Sequence, residues 1–135
     1  MTPAREEALR LLRLARRDGE TFELLAPLPK AGMAALGFHA QQSIEKALKA
    51  ICALRGLEMR RTHDLAALGQ AILDQGAELP LSIDELRTLN PFAVEYRYDD
   101  EIVSRVTRDE LRNHLYLVLK WAEECIGPES RDISV

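Results

Sequence analysis

Phe38-His39-Ala40-Gln41-Gln42-Ser43-Ile44-Glu45-Lys46-Ala47-Leu48-Lys49-Ala50 is the stretch that decides the fold. At about 100° per residue, Ala40, Ile44, Ala47, Leu48, Ile51 and Cys52 gather on one arc, as in a helix that buries one side. Gln41 falls inside that arc, between Leu48 and Cys52, and Glu45 falls at its edge, between Cys52 and Phe38. His39, Gln42, Lys46 and Lys49 fan over the adjoining polar side. Burying the amide or the carboxylate unpaired costs roughly a few kcal/mol, so each is expected to meet a partner from elsewhere in the chain. His63 and Arg97 are the best remote candidates. Lys49 lies four residues after Glu45, but an exposed pair of that kind is worth only about 0.2–0.5 kcal/mol and does not by itself justify the position. Two readings follow. In one, Gln41 and Glu45 are a structural polar pair that fixes the helix register. In the other, they belong to a partly buried pocket where His39, Gln42, Lys46 and Lys49 face a phosphate or an acidic partner, with Arg97 and His63 at the rim.

Working outward, this helix is predicted from about Ala31 to Arg55, closing at Gly56. Upstream, a first helix begins near Pro3 with Ala8, Leu11, Leu12, Ala15, Phe22 and Leu25 at helical spacing, and Pro27 and Pro29 end the segment. Gly19 lies in its middle and allows a kink or break. Downstream, a short helix follows Thr62-His63-Asp64, and a fourth starts at the capping-box spacing Ser82-Ile83-Asp84-Glu85. Asn90-Pro91 interrupts it, with Phe92 to Tyr98 able to resume; Asp99 to Val106 read as a surface loop. Thr107-Arg108-Asp109-Glu110 is a second capping box, opening a last helix that runs to Gly127-Pro128. The expectation is an all-α fold: one antiparallel up-and-down bundle of about five helices over residues 1–128, with residues 129–135 as a tail.

The quoted stretch, with His63-Asp64-Leu65 and Glu95-Tyr96-Arg97-Tyr98, closely resembles the HEPN domain family, in matching order and spacing over roughly residues 5–126. The resemblance implies a helical bundle, frequent homodimerisation and association with nucleotides or RNA. It also implies a partner, because many small members are encoded beside a minimal nucleotidyltransferase and act as half of a toxin–antitoxin-like pair. Several branches are metal-independent endoribonucleases that use an Arg and a His four to six residues apart near the start of the last conserved helix, assembled across a dimer cleft. The Glu95 to Tyr98 run has no histidine at that distance, and the spacing that qualifies is Arg108 to His114. Offset by six, these side chains project about 120° apart, so they would converge on one phosphate only across two copies. His114 would then be general base on a 2′-hydroxyl, and Arg108 would stabilise the phosphorane. A purely structural dimeric scaffold is the third expectation.

Composition limits the alternatives. The chain has 135 residues, 47% apolar and 30% charged, enough for a packed core without staples. Cys52 and Cys125 both sit in helical apolar patterns and read as small buried hydrophobes of a reducing compartment, which makes the cytoplasm the expected location. No stretch resembles a membrane span or an export signal. His39, His63 and His114 lie in separate elements and no phosphate-cradling glycine loop occurs, so neither a metal nor another cofactor is expected. Ser43 reads as an ordinary helix serine, and Tyr116 and Trp121 as groups that bury against a neighbour or a second subunit. Residues 1–61 hold 11 basic and 7 acidic side chains, whereas residues 62–135 hold 7 and 15. An anionic ligand should therefore prefer the first half, where Arg55, Arg60, Arg61 and His63 form a basic corner, and a basic partner the second.

Overall fold

Both ends of the first and last helices are pinned together by arginines. In the computed structural model, which describes residues 2–93 and 106–128, α1 spans Pro3–Leu25 and the last helix spans Arg108–Ile126. Arg5, near the start of α1, donates to the carbonyls of Ile126 and Pro128 at 3.3 and 2.8 Å. Arg108, the first residue of the last helix, donates to the carbonyls of Ala26 and Leu28 at 2.8 and 3.3 Å and also to Ala31. The two helices are therefore antiparallel. A cation at the positive end of its own helix is unfavourable, but here the carbonyl end of α1 receives it. Arg108→Ala leaves these carbonyls short of a charged donor, and we expect a loss of about 2 kcal/mol in urea unfolding.

Between them lie α2 (Met33–Leu54), α3 (Leu65–Asp74), α4 (Ile83–Leu89) and a 3-10 turn (Asn90–Ala93), so Arg108–Ile126 is α5. The described residues hold five α-helices and no strand, which gives the all-α bundle the pattern predicted. α2 is the hub, packed on α1, α3, the 3-10 turn and α5. Ala40, Ile44, Ala47, Leu48, Ile51 and Cys52 are all buried, as are Ala8, Leu11, Leu12, Ala15 and Phe22 of α1. Residues 94–105 and 129–135 lie outside the described residues, and with them the resumed helix to Tyr98, most of the Asp99–Val106 loop and the C-terminal tail.

Local chemistry sets the helix ends. The Thr2 hydroxyl accepts from the Arg5 N–H, and both predicted capping boxes, Ser82 with Glu85 and Thr107 with Glu110, are formed. α2 closes through Gly56, at φ +76°, with Leu57 N–H on the Cys52 carbonyl and Gly56 N–H on that of Ala53, the paired bonds of a Schellman cap.

Several expectations are corrected. α1 runs unbroken through Gly19, because the residue serves close packing: a Cβ there would lie 3.0 Å from Leu119 of α5. Val106, read as loop surface, is buried in the core. Cys125 is exposed, one position before the seam residue Ile126; only Cys52 is buried, which pushes its thiol up to about 11. Of the two alternatives for Tyr116, burial against a neighbour within the chain is not met: the side chain is exposed, with the Lys120 ammonium 5.7 Å from its ring centre.

Candidate functional site

The polar intrusion into the α2 seam is real and enclosed. Gln41 is 0% exposed and Glu45 5%. Their hydrogen bonds form a chain along the helix: Gln42 Nε2 donates to Gln41 Oε1 at 2.8 Å, and Gln41 Nε2 donates to Glu45 Oε1 at 3.0 Å. The other carboxylate oxygen, Oε2, takes the Lys49 ammonium at 3.0 Å and lies 3.1 Å from His63 Nδ1. Lys49 also donates to the Arg60 carbonyl at 2.8 Å, which fixes the loop between α2 and α3 over the site.

Burial pushes the Glu45 carboxyl up, but hydrogen bonds from Lys49, Gln41 and His63 outweigh it and hold the group below the usual glutamate range. Glu45 is thus an ionised carboxylate inside the bundle, as the three contacts on its two oxygens require. His63, 73% exposed, forms the wet end of this chain. Its place is fixed by the start of α3. Asp64 caps that helix by accepting from the Ala66 and Ala67 N–H groups, and it also accepts from Asn90 Nδ2 at 2.8 Å. Asn90 in turn accepts from Leu65 N–H, tying the 3-10 turn to the His63 corner. Those bonds, that from Asn90 first, keep the Asp64 carboxyl low.

A second polar group lies beside the first. Lys46 pairs with Asp18 of α1 at 2.5 Å, and His39 Nδ1 stands 3.9 Å from the same carboxylate, buried and without a hydrogen-bond partner among the described residues. His39, Gln42, Lys46 and Lys49, on the adjoining polar side, are all half-buried. Lys46, Lys49 and Glu45 line one cavity of about 620 Å³, shared with Arg10 and Glu7 of α1 and with Arg60. An ammonium has three donors, so each lysine can hold its carboxylate and also offer a hydrogen to a phosphate oxygen.

Of the residues singled out in the sequence, Gln41, Gln42, Glu45, Lys49 and His63 come together, with Lys46 lining the same cavity and His39 in the adjoining group. Arg97 lies outside the described residues. Arg108 and His114 face different neighbours: Arg108 holds the α1–α2 turn, while His114 lines a cavity against α4. Among the described residues no three His, Cys, Asp or Glu side chains stand together as a metal site would need.

Sequence reasoning missed Asp18, Ser43 and Asn90. Ser43 is fully buried and donates to the Ala15 carbonyl at 2.6 Å, locking α2 to α1. Asp18 was legible, because it stands three residues after Ala15 and four before Phe22, within the seam spacing of α1. Asn90 had only its place beside Pro91 to mark it.

An all-α bundle with a carboxylate-centred polar seam on its central helix defines a class of small helical modules with a charged pocket near one end. A family model of the HEPN domain matches residues 6–125, and the chain belongs to the HEPN domain family. No curated protein and no solved structure matches it.

Proposed function

We propose that this protein is a nucleotide- or RNA-associated interaction module that binds its anionic ligand on the α2 face formed by His39, Gln42, Lys46, Lys49 and His63, with Arg97 a further member. Membership of the HEPN family supports a nucleotide- or RNA-related role. The observation that carries the reading is the half-buried pair Lys46 and Lys49 in one cavity beside an ionised, buried Glu45. Such cations are held in place before a ligand arrives, which cuts the ordering cost of binding. The partner in this reading is a minimal nucleotidyltransferase in a toxin–antitoxin-like pair, and the module works as a homodimer. Among the described residues no helix is long and apolar enough to cross a membrane.

Calorimetric titration with ATP and with a short single-stranded RNA tests the site. Each lost charge-assisted hydrogen bond is worth about 1.5–3 kcal/mol, so Lys46→Ala/Lys49→Ala is expected to weaken binding at least about 100-fold. Absence of binding by the unmodified protein, or equal binding by the variant, removes the reading.

The endoribonuclease reading with Arg108 and His114 stands second. Among the described residues His114 keeps a ring nitrogen without a hydrogen-bond partner, as a general base could. Against it, the Arg108 guanidinium is engaged by backbone carbonyls, and the cavity at His114 is lined by Asp84, Glu85 and Glu110, which repel a phosphodiester. RNA cleavage that disappears in His114→Ala while the fold is retained would reverse this order.

A further inference from the structure

A cavity of about 740 Å³ between α4 and α5 has the opposite electrostatic character from the one at Lys46 and Lys49. Asp84, Glu85, Arg87 and Thr88 line it from α4, and Glu110 and His114 from α5. Arg87, the one arginine among the described lining residues, is already bound to Asp84 at 2.6 Å, so the balance that these residues present to a ligand is acidic. Glu85 Oε1 accepts the Ser82 backbone N–H at 2.9 Å and Glu110 Oε1 that of Thr107 at 3.3 Å, and a carboxylate still has acceptor positions beyond such a bond. The Ser82 N–H, chiefly, holds the Glu85 carboxyl below its usual range, so its charge persists at neutral pH.

His114 supplies an observation independent of this acidic lining. It is 9% exposed, and its Nδ1 is buried with no hydrogen-bond partner among the described residues. A buried polar nitrogen left unpaired destabilises a fold, and a group bound from outside the chain is one way to supply the missing bond. With the ring proton on Nε2, Nδ1 is an acceptor, matched to a ligand rich in N–H donors. Among the described lining residues, a phosphate would meet Glu85 and Glu110, with Arg87 already held by Asp84; a cation would meet those two carboxylates and, in the Nε2-protonated tautomer, an acceptor nitrogen.

We propose that the α4–α5 cavity binds a guanidinium or primary ammonium group, with Glu85 and Glu110 supplying the charge and His114 the buried acceptor. The inference does not rest on the nucleotide reading of the α2 face. A free polyamine-like cation and a basic side chain of a partner protein share this chemistry.

The test is titration with agmatine and, separately, with a short arginine-containing peptide, followed by calorimetry and by the imidazole nitrogen signals of His114. Glu85→Gln/Glu110→Gln is the decisive variant, because glutamine retains both capping boxes while removing both charges. Saturable binding is expected, with a shift of the His114 nitrogens and at least tenfold weakening in the variant. Agmatine binding without peptide binding assigns a free cation; peptide binding at least tenfold tighter than agmatine assigns a protein side chain. The proposal is overturned if neither probe moves the His114 signals, if the variant binds as tightly as the unmodified protein, or if inorganic phosphate moves those signals while agmatine does not.

Discussion

Glu45→Ala is expected to destabilise the protein by about 3–5 kcal/mol, because it leaves Lys49, 11% exposed, and the buried Gln41 amide without the group they share. Glu45→Gln keeps a polar group of the same shape and should cost less than half of that. Folded-state pKa here is lowered, so the sign is fixed. The stabilising contribution of Glu45 is present in full above the unfolded glutamate value of about 4.3 and is lost as pH falls through the lower folded value. Urea unfolding from pH 7 downward should show the unmodified protein losing stability below about pH 4.3, and the Glu45→Gln variant losing less over the same window. Parallel curves for the two proteins would mean that Glu45 is not held ionised by its partners.

Gly37→Ala is expected to be the most damaging glycine-to-alanine change among the described helical residues. A Cβ at Gly37 would lie 2.0 Å from Phe92 Cδ1 and 2.4 Å from two more ring carbons, and the ring is 1% exposed with no room to withdraw. Alanine gains about 1 kcal/mol in helix propensity over glycine. Displacing a core phenylalanine costs about 3–5 kcal/mol, so the contact wins and a net loss of at least about 2 kcal/mol should appear in thermal unfolding. The effect reaches the site, since Phe92 sits in the 3-10 turn whose Asn90 anchors Asp64 and the His63 corner. Gly37→Ala/Phe92→Leu should recover part of the loss; no recovery would place the strain elsewhere.

These two residues mark what the sequence made legible. Periodicity placed Glu45 and Gln41 in the α2 arc, and the physical cost of burying them correctly demanded a partner; His63 meets that demand across 18 positions of sequence. Capping boxes at Ser82 and Thr107 set the starts of α4 and α5 because the signal is local, three residues long, and indifferent to tertiary context. Gly37 gave no such signal. A glycine in an α-helix at ordinary dihedrals is required only by what packs on it, and Phe92 lies 55 residues away. The anchoring role of Arg108 gave no signal for the same reason: its carbonyl partners belong to the distant α1–α2 turn, invisible to any pattern within α5. Local rules read helix ends and faces; close approaches and long-range ion pairs appear only once the helices are assembled.

The central claim is that the polar seam of α2 is a ligand-binding face and not only a register device. Side-chain and amide NMR during titration with a short single-stranded RNA measures this directly. The largest saturable shifts should fall on Gln42, Lys46, Lys49 and His63. Saturable shifts confined to other faces of the bundle, or none at RNA concentrations in the millimolar range, would contradict it.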